Sequence, residues 1–508
     1  MSERTHTSSS RLAKNTLINI VGMLLPLVVG LAAIPYIIKG LGNELFGVLT
    51  IAWAIIASLT LLDFGIGRAT TKFASENMRA DGGSQVPEIL WTALVLNTLF
   101  GIVGGVLFYL AIPIIVHEFF KITPESIDET VIAFKVIAWL IPFLLITNSL
   151  KGILSAAQRF DFINYVTIPV NSLSFIIPIF SIWGMQLSTI MLCIIAMRII
   201  ATFIYLLQCW QLFPACKIPQ MPHREIIKKL SSYGMWITVS GIINPVLVYV
   251  DRFLIGSILS MEMLTFYAAP MEAIQRLRIL PNALMITLFP EFSAGVSKSQ
   301  IDMQYMLFGK SFKTILMTTG LICLSLFVFS EELIHLWLGV DYVAKSAAIV
   351  KIVSISIVFN FLALVPFTFL QGIGRPDLTA KFHLFESLFY FFLLGFLIRN
   401  FGLVGAAYAW SIRIFVDFLL LFLWSGKFLP GMLQSLHKEK VGLILVSLLI
   451  YAGLLLSAKA LFLGLHWQIF ITASALGCMT WYYWNFIVDE KERSLAKNLF
   501  GRLTTEKV

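Results

Sequence analysis

The stretch that decides the fold runs from Asn15 to Arg68 and reads NTLINIVGMLLPLVVGLAAIPYIIKGLGNELFGVLTIAWAIIASLTLLDFGIGR. Its two apolar runs, residues 16–38 and 45–62, each approach the roughly 20 residues with which a helix crosses about 30 Å of hydrocarbon. Gly22 and Pro26 lie in the middle of the first run. There they predict a hinge, either a bend or a locally unwound turn within the membrane. The stretch therefore predicts a pair of membrane-spanning helices of which the first is hinged.

The second apolar run ends in charged residues. Asp63 and Arg68 bracket a glycine-rich exit, LDFGIGR, at one membrane face. Opposite charges at the end of a helix pair indicate either a gate, whose ion pair opens and closes during transport, or a simple marker of the interface. Both interpretations stay open, and the first makes a transporter our initial hypothesis.

The whole chain has the composition of an integral membrane protein. Of its 508 residues, 58% are hydrophobic and 13% are charged, and the mean hydropathy is +0.87. In a typical soluble domain, about a quarter of the residues are charged. The apolar runs are long and unalternating, so they predict an all-α protein with about 14 transmembrane helices rather than a barrel. The net charge of +9 does not indicate nucleic-acid binding, because the cations are spread over short loops.

The loop charges predict the orientation. Loops on one side are basic, as at Lys217, Arg224 and Lys228, whereas those on the other side are acidic, as at Glu118 and Glu125. Because Lys and Arg accumulate in cytoplasmic loops, both termini are predicted to be cytoplasmic.

An internal repeat at an offset of roughly 215–220 residues organises the chain. Three pairs of short motifs recur in the same order: Gly22-x-x-x-Pro26 with Gly241-x-x-x-Pro245, Phe73-Ala-Ser-Glu76 with Phe289-Pro-Glu291, and Arg159-Phe-Asp161 with Arg375-Pro-Asp377. Gly241 and Pro245 thus predict a second hinge. The repeat predicts two lobes of about six helices each, residues 1–229 and 230–426. An extra helix pair with a cytoplasmic tail follows in residues 427–508.

No motif indicates a cofactor, a metal ion or catalysis. The segment Gly309-Lys310-Ser311 resembles the end of a P-loop, but Gln304 stands where the leading glycine is required. An HExxH motif and a Cys/His cluster with metal-ligand spacing are both missing from the sequence. We therefore expect no cofactor, no metal and no enzymatic activity.

Four segments carry a family resemblance: LGNELFG at 41–47, LDFGIGR at 62–68, AAQRFDFIN at 156–164 and LQGIGRPDLTA at 370–380. They resemble the polysaccharide-unit flippases of O-antigen type, in the multidrug/oligosaccharidyl-lipid/polysaccharide exporter (MOP) superfamily. The resemblance implies two bundles forming a V around a central cavity that opens alternately to either side of a bacterial inner membrane. It implies as substrate an oligosaccharide on undecaprenyl pyrophosphate, flipped to the periplasmic leaflet. The implied partners are membrane lipids and the downstream polymerase and chain-length machinery.

Cations inside the apolar runs are the candidate substrate ligands. Charges within spans cost roughly 2.5–3.5 kcal/mol each on insertion scales and usually face a bundle interior or a wet cavity. The candidates for an anion-binding cavity are Arg276, Arg278, Arg252, Arg198, Arg413, Lys135 and Lys351. Because guanidinium groups bind phosphate oxygens through two parallel hydrogen bonds, this surplus of cations predicts a site for pyrophosphate or a sugar acid.

Structural roles compete with each of these assignments. Arg413 lies one turn from Asp417, and Glu272 lies one turn before Arg276, so each pair can be neutralised along one helix face. Lys135 and Lys351 lie near span ends, where lysines extend towards the interface. Arg198 on an outer helix can simply hold its lobe together. The intramembrane acids Asp251, Glu272 and Asp417 are candidates for coupling transport to protons or sodium ions.

Three other functions compete with the flippase. A multidrug antiporter of the same superfamily would require an acid in the first span, and residues 16–38 contain none. A flippase for a different glycan precursor, of capsule or cell wall, would share every feature above. A membrane enzyme such as a sugar polymerase would present a large outer loop with catalytic side chains, which the spacing of the apolar runs does not provide.

Overall fold

The computed structural model describes residues 2–61, 65–293, 298–461, 465–490 and 492–494, and helices dominate these ranges. The helices within them are α1 (Ser2–Leu61), α2 (Ile66–Ala80), α3 (Val86–Ile114), α4 (Pro124–Ala156), α5 (Phe160–Ile176), α6 (Leu187–Leu212), α7 (Arg224–Ile258), α8 (Met261–Gln275), α9 (Ile279–Ser293), α10 (Lys298–Val328), α11 (Ser330–Leu338), α12 (Val340–Gly372), α13 (Pro376–Phe428), α14 (Met432–Lys438), α15 (Val441–Ala460) and α16 (Leu465–Tyr482). Short 3₁₀ or π-helical turns extend several of them, and no β-strand occurs in the described ranges.

The predicted spans coincide with these helices. Within the described part of the chain, nine helices are long and apolar enough to cross a membrane. Two of them, α1 and α13, contain a glycine with non-helical dihedral angles, Gly42 (φ 77°, ψ 170°) and Gly402 (φ 60°, ψ −138°). Each therefore carries two of the predicted spans. Only glycine adopts these combinations of positive φ with extended ψ without strain. The prediction of an all-α membrane fold is confirmed.

The expected hinge at Gly22 and Pro26 is not an unwound segment. Helical dihedral angles continue through Pro26 and Pro35, and the interruption found in the described part of α1 is at Gly42. Gly42 belongs to the LGNELFG turn, which separates the first two predicted spans.

Glu44 of the same turn caps another helix. Its carboxylate accepts hydrogen bonds from the backbone N–H of Thr123 (2.6 Å) and from the hydroxyls of Thr123 (2.7 Å) and Ser126 (3.1 Å). These donors lie at the start of α4, where the unpaired N–H groups and the helix dipole favour a carboxylate. The first helix pair is thereby attached to α4.

The chain divides by packing into two compact units, Met1–Ala273 with His383–Ala406, and Ile274–Phe382 with Ala407–Val508. In the first unit, α4 packs against α2, α3 and α6. Asn97 of α3 donates to the carbonyl of Leu145 (2.9 Å) and to the hydroxyl of Ser149 (2.7 Å) on α4. Gly101 permits this close approach, because a Cβ there would lie 2.4 Å from the Cα of Pro142. The predicted lobes, residues 1–229 and 230–426, and the pair 427–508 stay a prediction.

The repeated Arg-x-Asp motif has the same geometry in both copies. Arg159 binds both carboxylate oxygens of Asp161 (3.2 and 3.4 Å), and Arg375 binds those of Asp377 (2.9 and 3.1 Å). The residue before each arginine, Gln158 or Gly374, has positive φ, 56° and 79°. The backbone N–H of each arginine donates to a carbonyl near the end of the preceding helix, that of Leu154 or Leu370, and so caps this helix. The two loops are therefore alike in backbone and side chains.

In the second unit, aromatic side chains fill the core. Phe308 and Phe312 of α10 meet Phe369 of α12 and Phe418 and Phe422 of α13, with ring centroids 5.4–6.5 Å apart. These separations are typical of offset and edge-on aromatic pairs.

Ion pairs fasten the C-terminal helix pair, α15 and α16, at both ends of α15. Near its start, Lys313 of α10 binds Glu439 (2.6 Å) and Glu492 (3.1 Å), although Lys313 is only 2% exposed. Near its end, Lys459 binds Glu332 at 2.8 Å. Because the two contacts lie at opposite ends of α15, they attach the pair to α10 at one end and to α11 at the other.

Replacing Lys313 with methionine should loosen the C-terminal pair. Methionine keeps the apolar stem but leaves the carboxylates of Glu439 and Glu492 facing each other in a poorly solvated place. Removing one partner of a buried ion pair typically costs 3–5 kcal/mol, and we expect about 3 kcal/mol here. Unfolding of the purified protein in mixed micelles, combined with limited proteolysis at the pair, would measure this loss.

Lys381 provides the control, because it is exposed and forms a longer ion pair with Asp377, 3.8 Å. Its replacement by methionine should leave stability and proteolysis nearly unchanged. Equal behaviour of the two variants would contradict the role assigned to Lys313.

Candidate functional site

Arg252 lies at the centre of a buried polar cluster in the first unit. It is 2% exposed, and its Nη2 donates to Glu272 Oε1 at 2.7 Å. Asp251, the preceding residue on α7, accepts the backbone N–H of Arg252 (2.8 Å) and the hydroxyl of Tyr267 (2.7 Å). The ring of Tyr249 lies 5.2 Å from the Arg252 guanidinium carbon. Sequence reasoning named Arg252, Asp251 and Glu272 but not the two tyrosines, and α7 and α8 bring all of them together.

The charge balance of this cluster differs from the expected cationic site. Arg252 faces Glu272 and lies beside Asp251, so two carboxylates accompany one guanidinium. Tyr390 of α13 lies near Tyr267, and Glu386, one turn earlier on α13, is 1% exposed. A guanidinium that is already bound to a carboxylate can take a phosphate only if the pair opens. Arg252 is therefore better placed to hold α7 on α8, and the acids remain candidates for ion coupling.

Arg276 and Arg278 lie in a 3₁₀ turn that interrupts the eighth predicted span between α8 and α9. The physical cause is Pro281, three positions into α9. Proline lacks an N–H to donate to the carbonyl of residue 277 and its ring crowds that carbonyl, so a regular α-helical turn is not completed there. The segment Arg276-Leu-Arg278 thus presents two guanidinium groups from a locally tightened backbone.

Arg278 has charged neighbours from α13. Within the second unit, the charge of Arg413 repels the Arg278 guanidinium, and the carboxylate of Asp417 attracts it. Arg413 is 8% exposed and Asp417 is 7% exposed, whereas Arg278 keeps an accessible surface. Arg278, Arg413 and Asp417 together have a formal charge of +1, and Arg276 adds another positive charge nearby in sequence. Here the structure brings predicted cations together.

Lys351 and Lys135 have different surroundings. Lys351 binds Glu331 at 2.5 Å, and this hydrogen bond lowers the pKa of Glu331 below its ordinary value. The Lys135 ammonium lies 5.3 Å from the centre of the Tyr109 ring, a cation–π contact. The structural role considered for lysines at span ends suits both residues.

The remaining predicted residues are a gate and the hinges. Asp63 lies outside the described residues, so the ion pair with Arg68, which is exposed, stays a prediction. Pro26 is buried within α1. Gly22 lies in α1, and Gly241 and Pro245 lie in α7, but their side-chain surroundings fall outside the described part of the structure.

Lys151 is a candidate that sequence reasoning missed. It lies on α4, directly beyond the predicted end of the fourth span, and its charge repels that of Arg198 on α6. Among the described residues, no carboxylate lies within ion-pairing distance of either cation. The sequence did contain a signal for this pair. Thr147 lies one helical turn before Lys151 and Thr202 lies one turn after Arg198, so each cation shares a helix face with a threonine.

One group of carboxylates in the described ranges is arranged as metal ligands could be. It consists of Glu439, Asp489 and Glu492, whose oxygens lie within 4.8 Å of one another. The Lys310 and Lys313 ammonium groups already contact these oxygens, at 2.6–3.7 Å. Lysines thus occupy the place that a cation would take, and we assign the group to holding the C-terminal pair.

Comparisons with known proteins agree with the family resemblance that the four sequence motifs indicated. Residues 12–296 match the family described as polysaccharide biosynthesis protein. A putative O-antigen transporter of Shigella flexneri is 30% identical over 414 residues, which are 80% of this chain and 96% of that protein.

Two solved structures share the fold. A lipid II flippase, MurJ, in an inward closed conformation superposes with a TM-score of 0.72 over 94% of this chain and 100% of that chain, at 15% identity. An inward-facing MATE multidrug resistance transporter of the MOP superfamily gives 0.67 over 82% and 99%, at 14% identity. At these identities the two likenesses show the fold alone. The resemblance inferred from the motifs is confirmed, and the chain belongs to the polysaccharide biosynthesis protein family, with the all-helical membrane fold of the MOP superfamily.

Proposed function

We propose that the protein is a flippase that moves undecaprenyl-pyrophosphate-linked oligosaccharide units, of O-antigen type, across a bacterial inner membrane. It transports them from the cytoplasmic to the periplasmic leaflet by alternating access. Family membership supports this proposal, as does the name of the Shigella flexneri relative, which describes a transporter. Both termini are proposed to be cytoplasmic, in accordance with the basic loops and tail.

The observation that carries the proposal is the set of arginines kept inside apolar helices. Arg278 and Arg413 lie near each other in the second unit, and the carboxylate of Asp417 attracts the Arg278 guanidinium. Arg198 in the first unit has no carboxylate partner among the described residues. Like charges in a medium of low dielectric repel strongly, so such an arrangement is stable only if an anion or water balances it. A pyrophosphate or a sugar acid has the required charge and accepts paired hydrogen bonds from guanidinium groups.

The membrane potential is the proposed driving force. With an interior-negative membrane, outward movement of an anion gains about 2.3 kcal/mol per charge per 100 mV. A pyrophosphate of charge near −2 therefore gains several kcal/mol if its charge crosses alone. Protons or sodium ions could couple through Asp251, Glu272 or Asp417, whereas the downstream polymerase would remove the product from the outer leaflet.

The function is tested in cells by deletion of the gene. We expect lipid-linked oligosaccharide to accumulate on the cytoplasmic side and surface polysaccharide to disappear, because the polymerase on the far side then has no substrate. Isolation and sugar analysis of the accumulated lipid would also distinguish an O-antigen precursor from a capsule or cell-wall precursor. Plasmid-borne wild-type protein serves as the control and should restore the surface polymer. An unchanged surface polymer in the deletion strain would overturn the proposal.

A further inference from the structure

Two threonines mark the place where α4 and α6 meet in the first unit. The hydroxyls of Thr147 and Thr202 are 2.7 Å apart. Lys151 follows Thr147 by one turn on α4, and Arg198 precedes Thr202 by one turn on α6. The two cations therefore flank one polar contact on the facing sides of these helices, because residues four apart share a helix face.

Among the residues that the structure describes, neither cation has a carboxylate within ion-pairing distance. The Arg198 Nη2 has a long hydrogen bond to the hydroxyl of Ser174 on α5, 3.4 Å, and its buried Nε has no hydrogen-bond partner among the described residues. The described contact of the Lys151 ammonium is with the ring of Tyr205, 5.3 Å from its centre. The same helices carry a buried apolar cluster, so the surroundings offer little solvation to either charge.

The charges of Lys151 and Arg198 also repel each other. Two unbalanced like charges among apolar helices disfavour the folded protein, and neither residue neutralises an acid in the described part of the chain. Both side chains keep some accessible surface, so a small ligand can reach them. An anion between the two would remove the repulsion and supply acceptors for the unpaired N–H groups.

We propose that Lys151 and Arg198 form an anion-binding site for a phosphate-type group between α4, α5 and α6. The proposal deepens the function given above and rests on it, since the pyrophosphate of the carrier lipid has this chemistry. The phosphate of an anionic lipid head group has the same chemistry. In either case the ammonium supplies a point charge and the guanidinium two donors in a fixed geometry.

The test uses the full-length protein in nanodiscs of neutral phosphatidylcholine, with inorganic pyrophosphate as the probe. Pyrophosphate should raise the unfolding temperature of the wild-type protein, because a ligand of the folded state stabilises it by mass action. In the Arg276→Ala/Arg278→Ala background, which lacks the other proposed anion site, the further change Lys151→Gln/Arg198→Gln should abolish the response that remains, with affinity reduced about tenfold or more for each cation removed. Lys228→Gln, which removes an exposed cation of α7 in the same unit, should respond like the wild type.

Stability without ligand separates a binding role from a merely structural one. Removal of two mutually repelling charges should leave the unliganded double variant at least as stable as the wild type. A double variant that is less stable and still responds to pyrophosphate would overturn the proposal. Arg198→Lys keeps both charges and should keep most of the response, so loss of the response in this variant would also contradict it.

The source of the phosphate is resolved by a second arm, in which phosphatidylglycerol replaces part of the neutral lipid. If wild-type stability rises with phosphatidylglycerol and pyrophosphate has no effect in neutral lipid, the site serves a lipid head group. A wild-type response to pyrophosphate in neutral lipid assigns it to a soluble or carrier phosphate. Flipping of lipid-linked oligosaccharide by the same protein in sealed vesicles with an imposed membrane potential tests the two proposals apart. Flipping with no anion response in either nanodisc arm overturns the site only, and an anion response without flipping overturns the proposed function only.

Discussion

Replacing Arg252 with methionine should destabilise the protein by about 3–5 kcal/mol, the usual cost of removing one partner of a buried ion pair. Arg252 is 2% exposed and binds Glu272 at 2.7 Å. Without the guanidinium, the Glu272 carboxylate loses its partner in a poorly solvated place, and the neighbouring Asp251 loses a compensating charge. Unfolding of the purified variant in mixed micelles measures the loss.

The same pair permits a double-mutant cycle. Glu272→Gln alone leaves a buried guanidinium without its carboxylate and should also destabilise. The double variant Arg252→Met/Glu272→Gln should recover part of the loss, because neither charge is then left alone. Arg399→Met, which removes an exposed arginine from α13 in the same unit, serves as control. Additive losses in the cycle would show that Arg252 and Glu272 do not stabilise each other.

Loss of both arginines of the 3₁₀ turn should abolish function while the protein stays in the membrane. Each charge-assisted hydrogen bond to phosphate is worth about 1.5–3 kcal/mol, and each 1.4 kcal/mol is a factor of ten. The variant Arg276→Ala/Arg278→Ala is therefore expected to lower flipping by a factor of about 100 or more. Complementation of the deletion strain, with membrane levels of the protein measured by immunoblot, gives the result.

A conservative substitution of Arg278 separates the contribution of its charge from that of its planar guanidinium group. Arg278→Lys keeps the charge but loses the planar pair of donors, so it should give an intermediate rate. The exposed Lys381 of α13 provides a matched loss of charge in the same unit, and Lys381→Ala should complement fully. Full complementation by the double alanine variant would remove Arg276 and Arg278 from the anion site.

Local patterns predicted the local structures well. The RFD and RPD motifs were found from spacing alone, and in the structure each arginine binds both oxygens of its aspartate two residues later. The glycine of the LGNELFG turn, Gly42, interrupts α1 between two predicted spans. Both results depend on residues within a few positions of each other, where the chain itself restricts the geometry.

The partners of the intramembrane charges were not predictable in the same way. Glu272 binds Arg252 on another helix, a partner that one-turn spacing along α8 did not indicate. The carboxylate of Glu44 binds the start of α4, which lies 79 positions later in the chain. Lys151 escaped notice because a lysine at the end of an apolar run is usually an interface marker. In each case the partner is chosen by how two helices rotate and pack.

The sequence by itself determined that this protein is an all-helical membrane protein, where its spans lie and to which family it belongs. Hydropathy and turn residues act over one helix length, so they can be read without coordinates. Only the tertiary structure decided that Arg252 is balanced by an acid and that Lys313 anchors the C-terminal pair. It also decided that Lys151 lies near Arg198 with no carboxylate partner among the described residues. The free energy of a charge in a membrane depends on the groups packed around it, and helices distant in sequence supply those groups.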